Sequence, residues 1–157
     1  MRSISCRMSV SIAAPAAQVW PYLTDWERLG RWQREASDFR VISAQREGVG
    51  VVAEATIRLA GFRTRDPVVV TAFEPPLRLA IRHEGWVKGT GTMQLTWTGR
   101  ATRLDWTESY RPPLGALGWL GLRLLQPVLL RTFRRDLGLL KDLVESEGGL
   151  ALRPSSE

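Results

Sequence analysis

The stretch IAAPAAQVWPYLTDWERLGRW, from Ile12 to Trp32, decides how this chain reads. Its first residue closes an alternating run, Ile4, Cys6, Met8, Val10 and Ile12 against Ser5, Arg7, Ser9 and Ser11, the period-two pattern of a half-buried strand. Pro15 then opens a helix, because a proline at the first helical position gives up no intrahelical hydrogen bond. Val19, Trp20 and Leu23 form its apolar side, and Pro21 kinks or shortens it. Thr24-Asp25-Trp26-Glu27 has the form of a capping box in which Thr24 accepts from the Glu27 amide, so a second short helix is predicted to about Gln33.

Outward from this stretch the pattern becomes sheet. Strands are predicted at about Phe39 to Gln45, Val51 to Leu59, Thr64 to Phe73, Leu77 to Trp86, Thr90 to Thr98 and Thr102 to Tyr110. Turn chemistry separates them at Gly48-Val49-Gly50, Gly61, Pro75-Pro76, Val87-Lys88-Gly89 and Gly99-Arg100, which favours antiparallel hairpins. After Arg111-Pro112-Pro113 the period changes. Leu122, Leu125, Leu129, Phe133, Leu137, Leu140 and Val144 make one helical stripe from Leu114 to Glu147, with a bend expected near Pro127 and an end at Gly148-Gly149. One domain over residues 1–147 follows, with a frayed tail at 148–157.

Net charge is +6 and the isoelectric point near 10.6, which would suit an anionic partner. The distribution argues against nucleic acid. Only Lys88 and Lys141 are lysines, the arginines are scattered, and Arg131, Arg134 and Arg135 read as a solvated helix face. Cys6 and His83 are the only residues of their kinds, which excludes an intrachain disulfide and cysteine-rich or multi-histidine metal sites. The expectation is a cytoplasmic protein without metal or cofactor. The N-terminal run lacks the unbroken apolar core of a signal peptide, and Leu114 to Leu130, broken by Arg123, Gln126 and Pro127, is short for a bilayer span.

The order of strand, two short helices, six strands and a long helix resembles the helix-grip fold of the START-like (SRPBCC) superfamily. Within it, the chain is similar to the polyketide cyclase/dehydrase type. The residues that carry the resemblance are Ile12 to Pro15, Val19-Trp20, Thr24-Asp25, Trp32, Pro75-Pro76, Gly99 followed by Thr102, Trp106-Thr107-Glu108 and the leucine-rich end. The resemblance implies an α+β fold, a curved antiparallel sheet around the C-terminal helix with an internal cavity, and a small hydrophobic ligand, polyketide-like or lipid-like. It does not by itself imply a reaction.

Leu77, Leu79, Ile81 and His83 share one strand face, Met93, Leu95 and Trp97 another, and Leu104, Trp106, Glu108 and Tyr110 a third. All three faces are mainly apolar and therefore inward. A hairpin centred on Lys88 would set Leu79 opposite Trp97, Ile81 opposite Leu95 and His83 opposite Met93. The next hairpin has two forms: a four-residue loop sets Met93 against Glu108, and a tight Gly99-Arg100 turn sets it against Trp106. In the first form His83 and Glu108 share a row about 10 Å apart at the backbone, bridged by ligand or water. The candidate ligand-binding residues are thus Trp32, Ile81, His83, Met93, Leu95, Trp97, Trp106, Glu108 and Tyr110. His83, Glu108 and Tyr110 are the candidates for moving protons. A structural role stands beside this one, with His83 solvated at a strand end and Glu108 paired with an arginine. Three functions remain: a hydrophobic-ligand binder, a cyclase or dehydratase acting on such a ligand, and a peripheral lipid-interacting protein suggested by Leu114 to Leu130.

Overall fold

The computed structural model describes residues 2–151. Seven strands and three helices follow in the order β1 (Ile4–Ile12), α1 (Ala16–Thr24), α2 (Trp26–Leu29), β2 (Ala36–Val41), β3 (Val52–Leu59), β4 (Phe62–Glu74), β5 (Arg78–His83), β6 (Lys88–Trp97), β7 (Thr102–Arg111) and α3 (Gly115–Ala151). The strands form one antiparallel sheet in the order β1-β7-β6-β5-β4-β3-β2, so α1 and α2 carry the chain from one sheet edge to the other. This is the helix-grip α+β architecture that the sequence implies.

α1 begins directly after Pro15 and contains Pro21. The cap of α2 differs from the expected box. Asp25, in extended conformation, accepts from the Glu27 amide at 3.0 Å, while the Thr24 hydroxyl turns back onto the Trp20 carbonyl at 3.0 Å. Thr24 is the last residue of α1, where its hydroxyl reaches a carbonyl one turn back; Asp25 is the first free to leave helical geometry. β2 starts earlier than expected, because Ala36 pairs with Ile57, and its register shifts between Ser37 and Arg40, where Asp38 has φ of 55°.

Three contacts fix α3 along β1. The Gln126 amide donates to the Ser5 carbonyl at 2.9 Å, Lys141 donates to the Ser11 carbonyl at 2.9 Å, and the Ala13 amide donates to Glu145 at 2.8 Å. The helix therefore runs in the same direction as β1. It passes through Gly148-Gly149 to Ala151 rather than ending there; residues 152–157 of the expected tail lie outside the described residues. Its stripe is buried from Leu129 through Phe133, Leu137, Leu140 and Val144, whereas Leu122 and Leu125 are only half-buried.

Under the buried part, aromatic rings fill the concavity. Trp106 lies 4.9 Å from Phe133 and 5.9 Å from Trp32 between ring centres, and the Trp32 indole donates to the Tyr22 carbonyl at 2.9 Å. Two open grooves lie among the described residues. One, of about 420 Å³, lies along α3 and the other, of about 160 Å³, lies among Asp38, Arg40, Glu54, Thr56, Arg63 and Arg65. Large rings line the middle of the grip.

Candidate functional site

The site follows from strand register. β5 and β6 pair Leu79 with Met93, Ile81 with Gly91 and His83 with Gly89. The turn is thus centred on Trp86, two residues before Lys88, and the pairing moves by four from the expected one. The shift is even, so every face is preserved. Between β6 and β7 the tight Gly99-Arg100 turn is the form adopted, with Met93 opposite Trp106, Gly91 opposite Glu108 and Gly89 opposite Tyr110.

His83, Gly89 and Tyr110 therefore lie in one row, with Gly91 and Glu108 in the next. The His83 Nε2 lies 3.0 Å from Glu108 Oε2, and its Nδ1 lies 2.6 Å from Asp66 Oδ2 on β4. Glu108 Oε1 accepts from the Trp106 indole at 2.7 Å. Asp66, His83, Glu108 and Trp106 form a continuous hydrogen-bonded chain across β4, β5, β6 and β7, with β6 contributing only the space. A Cβ at Gly91 would sit 2.5 Å from Glu108 Oε1, one at Gly85 would sit 2.7 Å from Asp66 Oδ1, and one at Gly89 would collide with the Ser109 carbonyl. Glycine at these positions lets Glu108 pass over β6 and reach His83 directly, without the expected bridging ligand.

Burial disfavours an imidazolium, but the hydrogen bonds and charges of Asp66 and Glu108 outweigh it and hold His83 up at about 10. At neutral pH His83 is thus a cation donating from both nitrogens. With both ring nitrogens protonated, His83 acts there as a donor rather than a base. Tyr110, whose ring centre is 5.7 Å from that of His83, is raised well above the ordinary tyrosine range, first by burial and then by Glu108, Asp66, Cys6 and Glu35. It remains a neutral phenol. Cys6, opposite Glu108 on β1, is raised by burial and by Glu108, which keeps the thiol protonated.

A second acidic pair escaped the sequence reading. Asp136 of α3 is completely buried, and the carboxyl of Glu35, just before β2, is coupled to it. Burial, then the Asp136 carboxylate, raise Glu35 to about 9, with Arg135 offsetting part of the effect. Glu35 Oε2 and Asp136 Oδ2 are buried with no donor to either, so a proton held on Glu35 supplies the hydrogen that two ionised carboxylates would lack. Asp136 carried a signal, since it falls on the buried side of α3 between Phe133 and Leu137. Glu35 carried none. Asp66 was detectable only once Val68 was known to pair with His83.

The other candidates divide by depth. Trp32, Leu95 and Trp106 are buried, as is Met93; Ile81 is half-buried on the same face; Trp97 is 52% exposed at the far end of β6. The apolar wall thus has Trp106 at its centre and Trp97 at its rim.

The fold recurs widely among solved structures. The Zhui aromatase/cyclase from Streptomyces sp. R1128 superposes with a TM-score of 0.82 at 18% identity, over 98% of this chain and 100% of that one. TTHA0849 from Thermus thermophilus superposes with a TM-score of 0.78 at 22% identity, over 92% and 99%. DynU16, a putative protein in the dynemicin biosynthetic locus, gives 0.65 at 20% identity, over 91% of this chain and 48% of that one. No curated protein matches the chain in sequence. At these identities the structures establish the shared fold. The sequence profile described as polyketide cyclase / dehydrase and lipid transport matches residues 3–145, and the chain belongs to that family.

Proposed function

We propose that this chain binds a small, largely apolar molecule with an oxygen-bearing end, polyketide-like or lipid-like, between the concave face of the sheet and α3. The observation that carries the reading is that Asp66, His83, Glu108 and Tyr110 meet beside the apolar core, with Glu35 and Asp136 as a second acidic pair. A fold gains nothing in stability from so many desolvated ionisable groups, since apolar residues of the same volume do as well or better. The Tyr110 phenol is a donor suited to a carbonyl or hydroxyl oxygen. His83 and Glu108 hold the Trp106 edge in place and set the field around such a ligand. Trp32, Ile81, Met93 and Leu95 provide apolar contact, with Trp97 at the rim. The description of the matched family and the name of the Zhui aromatase/cyclase agree with this class of ligand.

Catalysis is the second reading, favoured by one observation: Glu35 and Asp136 bury two carboxyl groups with no donor to Glu35 Oε2 or Asp136 Oδ2, where burial holds the Glu35 proton. In a cyclisation followed by dehydration, Glu35 gives that proton to a departing hydroxyl, which leaves as water, and Asp136 takes the proton from the adjacent carbon. Proton exchange between the two carboxyls restores the pair.

Mass spectrometry of an organic extract of the purified protein tests both readings. A polyketide-like mass supports the cyclase reading and a phospholipid supports carriage. An extract with no retained small molecule, together with unchanged tryptophan fluorescence on titration with 1-anilinonaphthalene-8-sulfonate, would overturn the binding proposal.

A further inference from the structure

The first half of α3 is apolar on two opposite sides. One carries Leu122 and Leu129 toward the sheet. The other carries Leu117, Leu120, Leu124 and Val128, spaced three or four residues apart, and these are exposed by 78%, 50%, 72% and 46%. Leu114, just before the helix, extends the patch with 74% exposure. A helix apolar all round is ordinarily buried, but among the described residues nothing covers this outer stripe.

Charge identifies the missing partner. From Ser109 to Arg135 the chain contains five arginines, at positions 111, 123, 131, 134 and 135, and no acidic residue or lysine. Acidic groups begin at Asp136 and continue with Asp142, Glu145 and Glu147, so α3 is basic over its first half and mainly acidic over its second. Arg131 and Arg135 prolong the line of the apolar stripe. Arg123, Arg131 and Arg134 flank the open groove of about 420 Å³ whose other walls are Gln126, Pro127 and Leu130. At the same end of the molecule Arg2 lies over the Trp119 ring, 5.4 Å from its centre. Leucines on one line, arginines beside it and no carboxylate form the composition of a helix that lies in the interface of an anionic bilayer. No helix of the described residues is long and apolar enough to cross a membrane.

We infer that the outer face of α3 from Leu114 to Arg135 docks on an anionic membrane surface, with Leu117, Leu120, Leu124 and Val128 entering the acyl boundary. Arg123, Arg131 and Arg134 meet the lipid phosphates. The inference goes beyond interior ligand binding and can fail separately from it, because vesicles probe the outer face and a soluble dye probes the interior.

The test is cosedimentation of the full chain with vesicles of phosphatidylcholine alone and of phosphatidylcholine mixed with phosphatidylglycerol. Binding is expected only to the mixed vesicles and should weaken as salt is raised. The double variant Leu117→Asp/Leu124→Asp, altering two side chains that touch little of the core, should bind more than about tenfold more weakly with an unchanged thermal melt. Arg131→Gln/Arg134→Gln should lose roughly fivefold per arginine removed. Equal binding to both vesicle types, no binding to either, or full retention in the leucine variant would overturn the inference. So would a dimeric wild type that Leu117→Asp/Leu124→Asp converts to monomer, since a second copy would then be the cover.

Discussion

Replacing Glu108 by glutamine tests the interior charge network at its most informative bond. The change keeps an acceptor for the Trp106 indole, now 2.7 Å from Oε1, and removes the negative charge 3.0 Å from the His83 imidazole. Removing one partner of a buried ion pair commonly costs about 3 to 5 kcal/mol; with Asp66 still bonded to the opposite nitrogen, about 2 to 3 kcal/mol is expected here. The same loss should appear in the titration of His83, at about 1.4 kcal/mol for each unit by which its pKa falls. Because His83 is the only histidine, its ring resonances give an unobstructed NMR readout. The wild type should hold its proton until about 10, against an ordinary histidine value of 6.5. Since the folded value is the higher one, the associated stability is complete below 6.5 and is lost as pH rises through about 10. In Glu108→Gln the midpoint should fall by more than about one unit and the loss should begin at correspondingly lower pH. A wild-type His83 that titrates near 6.5, or a midpoint the variant leaves in place, would refute the charge network.

Three further outcomes are expected. Glu35 has a folded pKa of about 9 against 4.5, so the native state holds an extra proton between these values and wild-type stability falls as pH rises through them. Glu35→Gln should remove that slope and gain on the order of a few kcal/mol relative to wild type near pH 8 in urea unfolding, whereas a pH-independent difference would contradict the shared proton. Gly91→Ala places a carbon 2.5 Å from Glu108 Oε1 and should cost about 1 to 3 kcal/mol while lowering the His83 midpoint; Gly138→Ala in α3, with no atom within 4 Å of its added carbon, should be neutral or stabilising in the same melt. In dye titrations Trp106→Phe should lose most of the fluorescence response and Trp97→Phe little of it, and equal responses would remove Trp106 from the wall.

Sequence alternation was enough to put His83, Glu108, Tyr110 and Trp106 on the interior face, because side-chain parity survives any even error in register. It was not enough to place His83 beside Glu108. Gly89 and Gly91 resemble turn residues, and reading Gly89 as part of a turn moved the hairpin centre to Lys88. In the fold both lie inside β6, where the space they leave is filled by backbone and by the Glu108 carboxylate. A missing side chain is ambiguous in sequence: it can free a backbone torsion or admit a neighbour. Asp66 and Glu35 were illegible for another reason. Each gains its role from a partner far along the chain, His83 and Asp136, and local spacing contains no trace of either meeting.

The edge position of β1 bears on how the chain is made. Its residues Ile4 to Ile12 pair with Tyr110 back to Thr102, and α3 later settles along the same strand. During synthesis the first strand must therefore wait for about a hundred residues before any hydrogen-bonding partner emerges, a contact order that slows folding. Until then Ile4, Cys6 and Met8 face water on an unpaired strand, which invites association between nascent chains. A transcript truncated before Thr102 would leave β1 in that state permanently, so its product should aggregate or be degraded rather than persist as a smaller soluble domain.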